Sequence, residues 1–155
     1  MYKRGISIIE IVVSASIITI AATFTVNSLI IYQQLAQTNV EKTQAALLAE
    51  EGSEALQLMR DNGWTSYIET IPVDTPFYIY WDTTAYATTT TEIASGDYIR
   101  KMIFSAVERD DSTGNIVESG TLDTDTRLYS IEIFPVNDPT DQLLYTEGLL
   151  HNVYD

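Results

Sequence analysis

The sequence predicts an α+β fold: one long N-terminal helix, apolar in its first half and amphipathic in its second, packed against an antiparallel β-sheet head. Three observations carry this. Neither Gly nor Pro occurs over residues 6–51, so nothing breaks a helix there. Over residues 45–59 apolar side chains recur at three- and four-residue steps, the period of a helix with one buried face. Beyond Trp64 the pattern changes to short β-branched and aromatic runs separated by turn-forming residues, and strands in succession imply an antiparallel sheet.

The helix is read from Ile6 to about Arg60, roughly 80 Å at about 1.5 Å per residue. Its first half carries no charge from Ile11 to Val40. A helix needs about 20 mostly apolar residues to cross a bilayer, and residues 11–31 satisfy that length. Their Ser and Thr hydroxyls can bond back to carbonyls of their own helix. Lys3 and Arg4 precede the segment, and residues 41–155 hold 6 basic and 21 acidic side chains, a net charge of −15. The positive-inside rule then places the N-terminus in the cytoplasm and the acidic part outside. A cleaved secretory signal, a simple anchor and a buried core helix share this apolar pattern. Glu10 sets it apart. A carboxylate at bilayer depth costs about 2.5–3.5 kcal/mol on insertion scales, less near the edge, and such a residue usually has a partner.

In the second half, Ala45, Leu48, Gly52, Ala55, Leu56 and Met59 form one stripe, widened by Leu47 and Leu58, with Glu50, Ser53, Glu54, Gln57 and Arg60 opposite. Gly52 costs about 1 kcal/mol against Ala, which close approach by a strand would explain. The helix should stop at Asp61-Asn62-Gly63, Gly63 supplying a left-handed turn.

Strands are expected at Phe77–Trp81, Tyr98–Arg109, Ile116–Val117, Arg127–Phe134 and Gln142–Leu150. Tyr98, Arg100, Met102, Phe104 and Ala106 alternate with Ile99, Lys101, Ile103, Ser105 and Val107, so Arg100 and Lys101 face opposite ways. Tyr129, Ile131 and Ile133 share a face. Six Thr fall within residues 83–91; this is a polar loop or an edge strand, or a glycosylated or contact surface. The ten Tyr fill a small core or form an adhesive surface.

Composition narrows the function. The whole chain of 155 residues carries a net charge of −14, a field that repels phosphate, so no nucleic-acid partner is expected. Cysteine is absent, which removes disulfides, thiolate metal sites and thiol nucleophiles. His151 is the single histidine and sits near the chain end, not in a recognisable triad. The Asp-Thr pairs never continue into Gly, as aspartic-protease loops would, and no phosphate-cradling Gly loop is present. No enzyme is expected. Among the clustered acids, Asp123 and Asp125 are weak calcium candidates; an EF-hand register fails because no Glu closes a 12-residue loop around Gly114. No other cofactor is indicated.

The opening Met1-Tyr-Lys-Arg-Gly5, followed by Ile6-Ser-Ile-Ile-Glu10 and a long apolar run, resembles the N-terminal signal of type IV pilins and pseudopilins. The resemblance implies a leader, residues 1–5, cut after Gly5 by a membrane prepilin peptidase, with methylation of the new N-terminal amine at Ile6. It makes Glu10 the assembly residue, pairing with the terminal amine of a neighbouring subunit. The family most often has Phe where this chain has Ile6. It often has Gly and Pro within the apolar half, where this chain has Thr19 and Asn27, so helix melting on assembly is not carried over. Most better-known members close a C-terminal loop with a disulfide; here the last strand must be held otherwise. Residues 47–61 with Trp64 resemble minor pilins.

The resemblance thus divides the chain into a leader (1–5), a membrane or filament-core helix (6–32), its amphipathic continuation (33–62) and an acidic head (63–155). It implies a structural subunit of a pilus or pilus-like filament, made as an inner-membrane precursor and then carried into an extracellular or envelope filament. Its partners would be other pilin subunits, the peptidase, the inner-membrane assembly machinery and the bilayer. Adhesion, motility, DNA uptake and secretion are roles the family serves. The alternatives are a pseudopilin of a secretion or competence system, and a monomeric membrane-anchored extracellular binding domain.

Overall fold

The computed structural model describes residues 7–153. By its contacts the chain divides into two units, residues 1–40 and residues 41–155. One helix, α1 (Ile8–Asn62), contributes to both. The chain is α+β, with an apolar N-terminal helix and an open antiparallel sheet.

The second unit holds the sheet. Its strands are β1 (Pro76–Asp82), β2 (Ala85–Thr89), β3 (Ala94–Ser95), β4 (Tyr98–Arg109), β5 (Ile116–Val117), β6 (Thr121–Pro135) and β7 (Leu144–His151). The main order is β2-β1-β4-β6-β7, with the short β3 and β5 also pairing with β4. Every pairing is antiparallel. The Thr-rich segment therefore includes an edge strand, β2, one of the readings its composition allowed.

The last five turns of α1 bury Ala45, Ala49, Gly52, Ala55, Leu56 and Met59. Four of these six are Ala or Gly because the opposing sheet face is bulky: Met102, Phe104, Ile131 and Ile133 are all fully enclosed. Gly52 marks the tightest approach. A Cβ there would lie 2.9 Å from both Arg100 Cδ and Met102 Cε, and 3.3 Å from Ile131 Cδ1. The expected close approach is therefore made by strand side chains, not strand backbone. Met102 Cε and Ile131 Cδ1 are chain ends, but Arg100 Cδ is mid-chain and its guanidinium is held by the Leu48 carbonyl. Gly52→Ala should therefore force a shift that offsets much of the about 1 kcal/mol gained in helix propensity. Gly52→Leu should destabilise the second unit by about 1–3 kcal/mol through overpacking, read as a lowered melting temperature.

Several expectations are corrected. Leu47 and Leu58 do not widen the buried face; they are exposed, and Ala49 takes that place. The helix buries a narrow stripe, and both leucines lie on its flanks. Gly63 has a positive φ of 145° with ψ 111°, not the left-handed helical turn. The chain there enters a single π-type turn, Trp64–Ile68, closed by the Glu69 amide donating to the Trp64 carbonyl at 3.0 Å. Trp64 and Ile68 are both buried, their four-residue spacing placing both side chains on the inner side of one turn.

Strand β4 alternates as expected from Arg100 through Phe104, with Ile99 also buried, and then changes phase. Its register with β6 shifts between Ala106 and Val107, so Val107 is buried while Ala106 is exposed. Such a bulge inverts the faces beyond it. Arg100 and Lys101 do point oppositely. Arg100 is only 5% exposed and its Nη1 donates to the Leu48 carbonyl at 3.0 Å, with Glu51 Oε1 at 3.4 Å. Lys101 pairs with Glu132 and lies over the Phe134 ring. Tyr129 packs beside Ile131 and Ile133 and its ring crosses Gly148, its partner on β7; a Cβ at Gly148 would meet the ring. Of the tyrosines, Tyr78 is buried, whereas Tyr67, Tyr80 and Tyr145 are exposed.

Candidate functional site

Within residues 7–40, α1 starts where the Ser7 carbonyl accepts from the Glu10 amide at 3.0 Å and from the Ile11 amide at 3.3 Å. Glu10 thus stands in the first turn, where the positive end of the helix dipole favours a carboxylate. Among the described residues Glu10 has no ion pair. Beside it runs a shallow groove of about 430 Å³ lined by Glu10, Ile11, Ser14, Ala15 and Ile18. The small Ser14 and Ala15 side chains make that groove.

Every described residue from Ser7 to Gln44 is exposed. Ile8 is 81% exposed and Phe24 70%. An apolar surface of this extent requires cover by lipid or protein. Its polar content is largely self-contained. The Ser16, Thr19, Thr23, Thr25 and Ser28 hydroxyls each donate to the carbonyl four residues earlier at 2.8–2.9 Å. α1 is long and apolar enough to cross a membrane, by length and composition. Gly5 and Ile6, the expected cleavage and methylation residues, lie outside the described residues.

The acids of the second unit are engaged locally. Asp123 accepts from Arg109 Nε at 2.5 Å, from Thr126 Oγ1 at 2.7 Å and from the Asp125 amide at 3.0 Å. The Arg109 guanidinium and the Thr126 hydroxyl hold its carboxyl down at about 2. Asp125 lies across from Asn152, which donates its amide to the Asp125 carbonyl at 2.8 Å and its Nδ2 to Oδ1 at 3.4 Å. The two calcium candidates thus face an arginine and an asparagine. Among the described residues no group of three or more His, Asp or Glu is placed to hold a metal ion. Asp110 closes a turn instead, accepting from the amides and hydroxyls of Ser112 and Thr113, which hold it at about 2.

His151, which sequence reasoning set aside, belongs to this network. Its Nδ1 is 2.9 Å from the Oγ1 of Thr126, a residue only 1% exposed. Arg109, Asp123, Thr126 and His151 form a chain from β4 through β6 to β7. With Asn152 on Asp125, it ties down the last strand in a chain that has no disulfide. The register across β6 and β7, Thr126 opposite His151, is what brings these groups together; no spacing in the sequence carries it.

Folding holds the Asp123 and Asp110 pKa values below the carboxylate's ordinary value of 3.8. Their stabilisation is therefore complete above pH 4 and is lost as pH falls from about 4 through about 2. The melting temperature of the second unit should fall over that window. Asp123→Asn should lower stability at neutral pH and flatten the acid limb, as followed by circular dichroism.

Compared with known protein families, with curated proteins and with solved structures, the chain shows no match.

Proposed function

We propose that this chain is a structural, non-catalytic subunit of a type IV pilus or pilus-like filament. It enters the membrane as a precursor, is cut after Gly5, and assembles through residues 6–32 while its acidic part lies outside the cell. The observation that carries this reading is a single carboxylate, Glu10, in the first turn of a helix that carries no further charge up to Val40 and whose every described side chain up to Gln44 is exposed.

The physical argument runs from cost to partner. Removed from water alone, a carboxylate is strongly disfavoured; paired with a cation and hydrogen-bonded, it is tolerated. Cleavage after Gly5 creates one new cation per chain, the Ile6 ammonium. Within one chain that group is four residues from Glu10 in sequence, and in a neighbouring copy it can reach the same depth. The groove at Ser14 and Ala15 leaves room beside Glu10 for the approach of another chain. Each subunit therefore offers one acid and one amine, and a lateral array satisfies both. The acidic bodies repel one another, which keeps the assembly soluble on its outside and leaves cohesion to the helices.

The test is electron microscopy of sheared surface material from cells with and without the gene, with immunogold labelling of the body. Labelled filaments that disappear with the gene support the reading. Chain retained in the membrane, with filaments absent or unlabelled, favours the monomeric anchor.

A further inference from the structure

The Arg109–Asp123–Thr126–His151 chain fixes where its protons lie as well as its heavy atoms. β6 supplies two of its groups. Ala106 of β4 lies opposite Arg127, but Val107 lies opposite Asp123, so residues 124–126 of β6 have no counterpart on β4. A bulge of this kind re-aims side chains, and here the Asp123 carboxylate and the Thr126 hydroxyl converge. Three groups meet at Thr126 Oγ1: Asp123 Oδ2 at 2.7 Å, His151 Nδ1 at 2.9 Å and Arg109 Nη2 at 3.3 Å. Thr126 is buried, so its hydroxyl depends on these three for its bonds.

A hydroxyl has one proton to give and two lone pairs to fill. Asp123, paired with the Arg109 guanidinium, is ionised at neutral pH, and a carboxylate only accepts. The Thr126 proton is therefore committed to Asp123. Were it turned to His151 instead, Thr126 Oγ1 and Asp123 Oδ2 would face each other as two bare acceptors at 2.7 Å, and a buried acceptor left without its bond is costly. Arg109 Nη2 can only donate, and it fills one lone pair. The other remains for His151 Nδ1, which must then carry a hydrogen.

We infer that neutral His151 is held in its Nδ1–H form and closes the end of β7 as a latch that stays shut when the ring takes up a proton. The second part follows from the first. In the Nδ1–H form the nitrogen without hydrogen is Nε2, and His151 is exposed. Protonation adds a hydrogen at Nε2 and leaves Nδ1–H donating to Thr126. A ring that accepted from Thr126 would behave in reverse, because both nitrogens of the cation are donors and that bond would break. The charged groups flanking the ring are Arg109 on β4 and Asp123, Asp125 and Arg127 on β6, two of each sign, with Glu147 four residues back on β7. No single sign of charge therefore meets the imidazolium. Among the described strands β7 pairs with β6 alone, so the latch secures a free edge of the sheet in a chain without cysteine. It belongs to the second unit and does not depend on the filament reading.

His151 is the single histidine, so its ring gives one pair of nitrogen resonances. Full-length nitrogen-15-labelled chain in detergent micelles is read by long-range proton–nitrogen correlation at about pH 8, the neutral side of the histidine range. The wild type should show hydrogen on Nδ1 and none on Nε2. Thr126→Ser, which keeps the hydroxyl, should show the same. Thr126→Val, which removes it, should move toward the Nε2–H form. The latch is read separately, at the Asn152 amide, which donates to the Asp125 carbonyl at 2.8 Å. From about pH 8 to about pH 5, where histidines change charge, its hydrogen-exchange protection factor should fall by less than about threefold. Both wild-type readings stand whether or not the variants fold. A wild-type ring with Nδ1 bare overturns the proton assignment, and a larger loss of Asn152 protection over that range overturns the latch.

Discussion

Glu10→Leu is expected to insert normally, to be cut after Gly5, and to be missing from filaments. Leucine improves the hydropathy of the first turn, so insertion gains and membrane levels should not fall. In the proposed assembly, what is lost is the partner for a neighbour's terminal amine. Breaking a buried ion pair by removing one member costs about 3–5 kcal/mol, because the other charge stays behind uncompensated. That corresponds to a hundredfold or greater reduction in subunit addition at roughly 1.4 kcal/mol per decade. Glu10→Gln should fail similarly despite its matched shape, since it keeps the hydrogen bonding but loses the charge. The measurement is the ratio of chain in sheared filaments to chain in membranes, by immunoblot. An unchanged ratio for Glu10→Leu contradicts the assigned role.

Phe104→Ala is expected to be the most damaging single change in the second unit. Phe104 is fully enclosed on β4, its ring 4.9 Å from that of Phe77. It lies among Met102, Ile131 and Leu56 at the centre of the core. Truncation removes the ring and leaves a cavity, at about 3–5 kcal/mol. Against a typical domain stability of about 5–15 kcal/mol, that is a large share. A denaturant titration of full-length protein in detergent, read by the Trp64 and Trp81 fluorescence, should show the midpoint shift. A change below about 1 kcal/mol would mean the core is not centred on this ring.

Much of this architecture could be read from residue order alone, for physical reasons. β4 from Arg100 to Phe104 and β6 from Tyr129 to Ile133 alternate about one buried face, so these stretches were legible, although β6 starts earlier, at Thr121, than its pattern suggested. The helix stripe was legible in period but not in width, since Leu47 and Leu58 carry the right chemistry but lie outside the face the sheet covers. The bulge at Ala106/Val107 was not legible, because Arg109 through Asn115 reads equally well with either phase. The Arg109–Asp123–Thr126–His151 chain depends on cross-strand register, which single-strand patterns do not encode. Glu10 stood out in the sequence because it breaks an otherwise uniform rule.

The account turns on the opening residues being removed so that a new amine can meet Glu10 of another copy. Intact-mass spectrometry of the chain recovered from sheared surface filaments measures this directly. The expected mass lacks Met1 to Gly5, with or without one added methyl group on Ile6. Recovery of the chain only from membranes, with those five residues still attached, would contradict it.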